Sequence, residues 1–315
     1  MLAAYRRTGA DPPWGDPRRY HGVAMEGYFW RFTQAASGHV AIVMCGVNRA
    51  RSGERWAFVG LAAHPGGFFR WAALQDARAD PAGYGVRAGR AFSAGPDHLR
   101  LDLGPDCRIE AAIAAPVAWP RRAFGGLGGA QVVPGLGQYW HPHLFAAGVR
   151  GSVVAGAQAF TLDGAGAYAE KNWGDGFPDR WWWGQAHDFG DDVSVAFAGG
   201  PVGIGLARLH ATAAVVRLDG TVLRCRPPAS MAVGDGAWHL RARSGWHRVE
   251  VEGTAEPGTA HALTVPVPAE RRAVDRSQHH LAGTMRVHVT RRGRTVFAGE
   301  SRLAGLERGG ASASA

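Results

Sequence analysis

The chain contains a single lysine, Lys171, in the run Tyr168-Ala169-Glu170-Lys171-Asn172-Trp173, beside one of only two asparagines; every other basic residue is arginine. A lysine kept among arginines asks for a compact ammonium, which fits a small socket or pairs with one carboxylate where a planar guanidinium does not. The plainer alternative is a lysine that caps a turn or meets a surface acid. A few residues on comes Trp181-Trp182-Trp183-Gly184-Gln185-Ala186-His187-Asp188. With Trp173 this brings 4 of the chain's 12 tryptophans together, so rings and hydrogen-bonding groups are concentrated here more than anywhere else.

In an extended strand, successive side chains point to opposite faces. Tyr168, Glu170 and Asn172 then share one side, and Lys171 and Trp173 the other. After a turn at 174–180, Trp181, Trp183, Gln185 and His187 share one face, with Trp182, Gly184, Ala186 and Asp188 opposite. The first of these faces mixes large rings with sparse polar anchors, the composition of an apolar ligand pocket. A tryptophan-rich core in which Gln185 and His187 only satisfy backbone groups is the competing reading. Upstream, Tyr139-Trp140-His141-Pro142-His143 puts two histidines on one face. No third spaced histidine, HExxH or acidic neighbour completes a metal site, so no metal is expected, and the pair reads as hydrogen-bonding or cavity-lining. There is no GxSxG elbow, and the glycines at 125–130 lack the Lys-Ser/Thr of a phosphate loop.

These groups need rigid elements to hold them, and the sequence offers strands. Short apolar or alternating segments at 38–47, 55–61, 98–103, 108–114, 193–198, 214–218, 220–224, 246–251 and 284–290 are punctuated by turn signals such as Asp219-Gly220 and Arg292-Gly293. Many short strands at regular spacing predict an all-β sandwich or barrel. A weak internal echo points to two similar halves: Met25-Glu26-Gly27-Tyr28-Phe29-Trp30 precedes a strand at Val40, and Trp183 leads a strand at Val193 by the same interval. The Gly/Pro-rich run 121–137 is long for a plain hairpin loop and is either functional or mobile. Residues 1–19 and 309–315 read as tails.

Composition narrows the function classes. With 46 % hydrophobic and 19 % charged residues among 315, the chain can bury a sizeable core. Its longest apolar runs fall short of the roughly 20 residues that span a bilayer, and no apolar block follows the first arginines, so no signal peptide is expected. The 3 cysteines lie far apart, which fits a reducing cytoplasm rather than a disulfide scaffold. The net charge of +9 is carried by arginines scattered singly or in pairs. That pattern argues against nucleic-acid binding and leaves a general attraction to anionic membrane surfaces.

Several strings together resemble tocopherol cyclase. They are Tyr20-His21-Gly22 with Met25-Glu26-Gly27-Tyr28-Phe29-Trp30, Tyr139-Trp140-His141-Pro142-His143, Ala167-Tyr168-Ala169-Glu170-Lys171-Asn172-Trp173-Gly174 and Phe177-Pro178 followed by Arg180-Trp181-Trp182-Trp183. The tail Leu281-Ala282-Gly283-Thr284-Met285 and then Leu306-Glu307-Arg308-Gly309-Gly310 is similar to that family's C-terminal end. The resemblance runs in order from about Tyr20 to Gly310. It implies two lipocalin-like antiparallel β-barrel halves packed together, expected at 20–160 and 161–308. It also implies closure of a chromanol ring from a prenylated quinol, with no redox or metal cofactor. The sequence departs from the plant pattern in lacking a transit peptide and in carrying His187 after the tryptophan strand, which leaves the substrate more open than the reaction type.

That chemistry asks for a strong acid near an alkene, a dry pocket and rings to stabilise a tertiary cation. A carboxylic acid kept protonated by apolar surroundings can supply the proton, and indole faces stabilise the cation. Glu170 is the leading acid, with Asp188 and then Glu26 behind it, and His187 or a glutamine can hold or deprotonate the phenol. Glu26, Trp30, Tyr139, Trp140, His141, His143, Lys171, Asn172, Trp173, Trp181, Trp183 and Gln185 are the expected substrate-binding residues. The competing functions are hydration of a carotenoid or other isoprenoid alkene, and quinone or lipid carriage without chemistry. The expected partner is an apolar small molecule dissolved in membrane, met by a cytoplasmic protein that touches the membrane peripherally.

Overall fold

The computed structural model describes every residue except 121–123, 191, 205–206, 226–227 and 311–315, with side chains at all described positions but 203–204 and 207–209. The chain divides into two units. The first comprises Met1–Gly125, Gly129–Phe177 and Thr264–Asp275; the second comprises Gly126–Gly128, Pro178–Leu263 and Arg276–Ala315.

The first sheet is built from β1 (Met25–Gln34), β2 (His39–Arg49), β3 (Arg55–His64), β4 (Phe68–Gln75), β5 (Ala77–Ala79), β6 (Val86–Ala88), β7 (Phe92–Ala94), β8 (His98–Asp102), β9 (Cys107–Ala118), β10 (Gln138–Ala155), β11 (Gln158–Thr161) and β12 (Ala165–Gly174). Its order is β4-β3-β2-β1-β12-β10-β9-β8-β7-β6-β5, with β11 beside β10, and it forms a nearly closed antiparallel barrel. Strand β9 alternates cleanly, burying Cys107, Ile109, Ala111 and Ile113 and exposing Arg108, Glu110 and Ala112. Strands β1, β2, β3 and β12 are instead buried on both faces, which is why β2 reads as the near-continuous apolar run Val40-Ala41-Ile42-Val43 rather than an alternating one. Tyr28, Trp30, Phe32, Val43, Val59, Phe92 and Ile109 belong to the barrel core.

The second sheet contains β13 (Arg180–Ala186), β14 (Val193–Ile204), β15 (Ala207–Leu218), β16 (Thr221–Cys225), β17 (Ser230–Val233), β18 (Ala237–Ser244), β19 (His247–Thr254), β20 (His261–Val267), β21 (Arg272–Arg291) and β22 (Arg294–Gly310). Its order is β16-β15-β14-β13-β22-β21-β19-β18-β17, with β20 beside β21. Both sheets thus follow one plan: a four-strand meander whose first strand pairs with the last strand of its own sheet. The all-β expectation holds, and the internal echo has a structural counterpart. At residue level the echo is out of phase. Trp30 lies in the first core, whereas Trp182, not Trp183, packs against the second core around Phe197, Trp238 and Leu306.

Residues 1–19, which read as a tail, hold a short helix, α1 (Leu2–Arg6), and then Ala10 and Asp11, both buried. Burial here comes from partners far along the chain: the Asp11 N–H donates to the Gln131 carbonyl and the Trp173 indole to that of Gly9. In the Gly/Pro-rich run, 121–123 lie outside the described residues and Gly128–Val132 forms one 3-10 turn. Gly309 and Gly310, assigned to the C-terminal tail, are the last residues of β22, and 311–315 lie outside the described residues. No helix among the described residues is long and apolar enough to cross a membrane.

Candidate functional site

The register of β1, β12 and β10 sorts the expected site residues into two faces. Glu26 sits opposite Trp173, Tyr28 opposite Lys171, and Tyr139 and His141 opposite Trp173 and Lys171. Since Tyr28, Trp30 and Ala169 are core residues, Glu26, Trp30, Tyr139, His141, Lys171 and Trp173 point into the first barrel. Trp140, Glu170 and Asn172 point the other way.

On the inward face Lys171 is fully buried and its Nζ lies 2.6 Å from Glu26 Oε2, also fully buried. The ammonium also donates to the Arg19 carbonyl at 2.7 Å and to His21 Nδ1 at 3.2 Å. His21 Nε2 is 2.8 Å from Asp11 Oδ1, which also takes Arg6 Nη1 at 2.8 Å. The Nε2–H tautomer of His21 donates to Asp11 and leaves Nδ1 to accept from Lys171. Glu26 Oε1 accepts the backbone N–H groups of His21 and Gly22 at 2.5 and 2.8 Å. Burial alone would push the Glu26 carboxyl up, but the adjacent Lys171 and the bonds from His21 overcome it and bring the group down to about 2. Desolvation pulls the Lys171 ammonium down and the Glu26 carboxylate opposes it. The Lys171 ammonium sits 5.3 and 5.2 Å from the ring centres of Tyr28 and Trp173. Trp173 is sandwiched between His21 at 4.3 Å and Tyr139 at 5.7 Å, and its indole N–H donates to the Gly9 carbonyl at 2.7 Å. Lysine is required because three acceptors converge on one point inside a closed socket. Glu26 is thus held as a carboxylate, ion-paired with Lys171.

His141 and His143 are buried. Burial lowers the His141 imidazole to about 3 and takes His143 well below its ordinary value, so both rings are neutral near pH 7. Their ring centres are 6.4 Å apart, His141 meeting Trp119 edge-on and His143 lying against Tyr84. Among the described residues no group of three His, Cys, Asp or Glu side chains could hold a metal.

On the outward face Glu170 is 5 % exposed. Its Oε2 accepts the Trp140 indole N–H at 2.9 Å and the Tyr168 hydroxyl at 2.6 Å. Burial and the neighbouring Glu170 push the Tyr168 phenol well up, so it stays a donor. Asn172 lies across Gly27, where an added Cβ would come within 2.1 Å of its Oδ1; glycine is what lets the amide lie flat on β1. The predicted division between Glu170 and Lys171 is therefore present.

In the second unit, Trp181, Trp183 and Gln185 lie opposite Gly309, Glu307 and Gly305 on the face turned away from the core. Gln185 Nε2 donates to His187 Nδ1 at 2.8 Å, and Asp188 accepts the Ser301 hydroxyl at 2.5 Å. Between the tryptophans is a group that the sequence reading missed. Glu307 accepts the Trp181 indole at 2.7 Å, the Ser277 hydroxyl at 2.7 Å and His279 Nδ1 at 3.1 Å. Burial would raise this carboxyl, yet His279, Ser277 and Trp181 hold it below the usual range. Ser277 and His279 gave no local signal, while Glu307 stood in the C-terminal string that carried the family resemblance. Asp11 and His21 were also missed as site residues: they pair with each other locally, but the lysine that gives them a role lies 150 positions on. We expect Glu307→Gln to cost about 1–2 kcal/mol of unfolding free energy in a denaturant titration, because bonds to a charged carboxylate become weaker neutral ones. An unchanged midpoint would mean the three bonds contribute nothing.

Two antiparallel sheets of one topology, each folded over its own core, place the chain in the all-β, lipocalin-like class. Solved structures agree on the fold. A putative AttH from Nitrosomonas europaea matches with TM-score 0.52 at 12 % identity, covering 92 % of this chain and 94 % of that one. Kievitone hydratase from Nectria haematococca matches with TM-score 0.55 at 11 % identity, covering 92 % and 90 %. The family profile described as tocopherol cyclase-like matches residues 128–310, and the chain belongs to that family. A probable chloroplastic tocopherol cyclase of Oryza sativa subsp. japonica and the chloroplastic tocopherol cyclase of Zea mays are each 30 % identical over 169 residues. Those alignments cover 49 % of this chain and only 35 % of the plant proteins.

Proposed function

We propose that the protein is an intramolecular cyclase that adds a phenol across a prenyl double bond to close a chromanol-type ring, with Glu170 as the general acid. The observation that supports this is the setting of Glu170: a buried carboxyl, inside the family-matched region, whose two indole and phenol donors both end on Oε2. In the neutral acid a carbonyl Oε2 accepts both bonds and Oε1 carries the proton. That proton passes to the less substituted alkene carbon as the π bond breaks, leaving a tertiary cation. The phenol oxygen bonds to the cation, and its proton returns to the carboxylate, so product and substrate have the same formula. Trp140 and Tyr168 fix the carboxyl, and an indole face beside the cation is worth about 0.5–2 kcal/mol. The substrate class this asks for is an apolar prenylated quinol, and no metal or redox partner enters the atom balance.

The test is product analysis with a prenylated hydroquinone, with and without a chelator. A cyclised product of unchanged mass, formed equally in both, is the expected result. Gain of one water would make the protein a hydratase, and recovery of the unchanged ligand from the protein would make it a carrier. His187→Ala and Asp188→Asn, run in the same assay, test the roles first expected of those residues; wild-type turnover in either variant removes it from the mechanism.

A further inference from the structure

The sequence shows arginines scattered along the chain, but the second sheet gathers five of them at one end. The β18–β19 hairpin turns at Gly245-Trp246 and the β21–β22 hairpin turns at Arg292-Gly293, and the two tips are adjacent because β19 pairs with β21. The Arg292 backbone N–H donates to the Trp246 carbonyl at 3.2 Å, and the Arg292 guanidinium lies 5.0 Å over the Trp246 ring. Trp246 is 70 % exposed and Val296, on the neighbouring tip, 44 %. Around them Arg243, Arg248, Arg291, Arg292 and Arg294 are all exposed.

Two features set this patch apart from an ordinary solvated surface. Arg243 lies directly opposite Arg248, and Arg291 opposite Arg294; like charges facing each other across strands are destabilising. Among the described residues no ion pair engages any of the five, and two carboxylates further along the same strands are used elsewhere, Glu250 by Arg241 and Glu300 by Arg286 and Arg302. The sheet therefore holds uncompensated positive charge around an exposed indole. Arginine with tryptophan at a tip is the composition that seats at a lipid–water interface, the indole at headgroup level and the cations among anionic headgroups.

We propose that the paired tips of β18–β19 and β21–β22 are a docking surface for an anionic lipid membrane, with Trp246 entering the headgroup layer. This goes beyond the cyclase reading, although an apolar substrate would be reached from such a surface. The experiment is co-sedimentation of the full chain with phosphatidylcholine vesicles, with and without phosphatidylglycerol. Binding should require phosphatidylglycerol and weaken with salt. The double variant Arg292→Glu/Arg294→Glu should lower partitioning by roughly 100-fold, and Trp246→Ala by several-fold at constant charge. Wild-type binding by the double variant, equal binding to neutral vesicles, or tighter binding to duplex DNA than to anionic vesicles at the same salt would overturn the proposal. Turnover of micelle-dissolved prenyl hydroquinone should be unchanged in the double variant. Absent turnover in a wild-type protein that still binds vesicles defeats the cyclase reading and leaves the docking surface standing.

Discussion

Glu170→Gln should lower turnover of a prenylated hydroquinone by about 100-fold or more, the scale of a lost general acid, while leaving the fold and ligand binding in place. The glutamine carbonyl can accept the same two bonds from Trp140 and Tyr168 that Oε2 accepts now, so the aromatic wall keeps its geometry and only the transferable proton is removed. The informative comparison is kcat against the dissociation constant of a non-reactive prenyl quinone. A loss confined to kcat identifies an acid. A parallel loss of binding and thermal stability identifies a packing residue, and near-wild-type kcat removes Glu170 from the chemistry and leaves Asp188 as the next carboxyl to test.

Lys171→Met should destabilise the protein by about 3–5 kcal/mol, because it leaves the Glu26 carboxylate buried without its cation. Neither group is exposed. The double variant Glu26→Gln/Lys171→Met should recover most of that loss, since two neutral groups need no mutual compensation. Lys171→Arg should also destabilise, by about 1–3 kcal/mol, because the larger planar head overfills a socket shaped by the Arg19 carbonyl, His21 and Glu26. The pH dependence has a definite sign. The folded-state Glu26 carboxyl lies near about 2, below its ordinary 4.5, so its contribution is complete above the unfolded value and disappears as pH falls toward the folded one. Denaturant unfolding at neutral pH and near pH 3 measures it: the wild-type loss on acidification should shrink in the double variant. An equal loss in both would place the acid sensitivity elsewhere.

Much of this was legible in the sequence because strand geometry is written in alternation. The division of Tyr168, Glu170 and Asn172 from Lys171 and Trp173 follows from a period of two, and β12 has that division. The same rule grouped Trp181, Trp183, Gln185 and His187; β13 carries the first three on one face and ends before His187. Alternation says which residues share a face, but not whether that face looks into a core or away from it. Trp30 and Trp183 were paired by an echo in sequence, yet Trp30 packs in its sheet's core and Trp183, also buried, lies on the face opposite the second core, because the inward phase is set by which neighbours close the sheet.

By itself, then, the sequence determined the all-β class, the family, the faces of the key strands and the need for a small cation socket at position 171. These follow from local quantities: side-chain period, turn residues and the difference between an ammonium and a guanidinium. The tertiary structure decided the partners. Lys171 meets Glu26 and the N-terminal residues, about 150 positions away. Glu307 collects donors from β13 and β21, and scattered arginines gather at one end of the second sheet when β19 and β21 lie side by side. Long-range strand order brings these groups together, and no local pattern encodes it, because backbone hydrogen bonds between strands are nearly the same whichever strands they join.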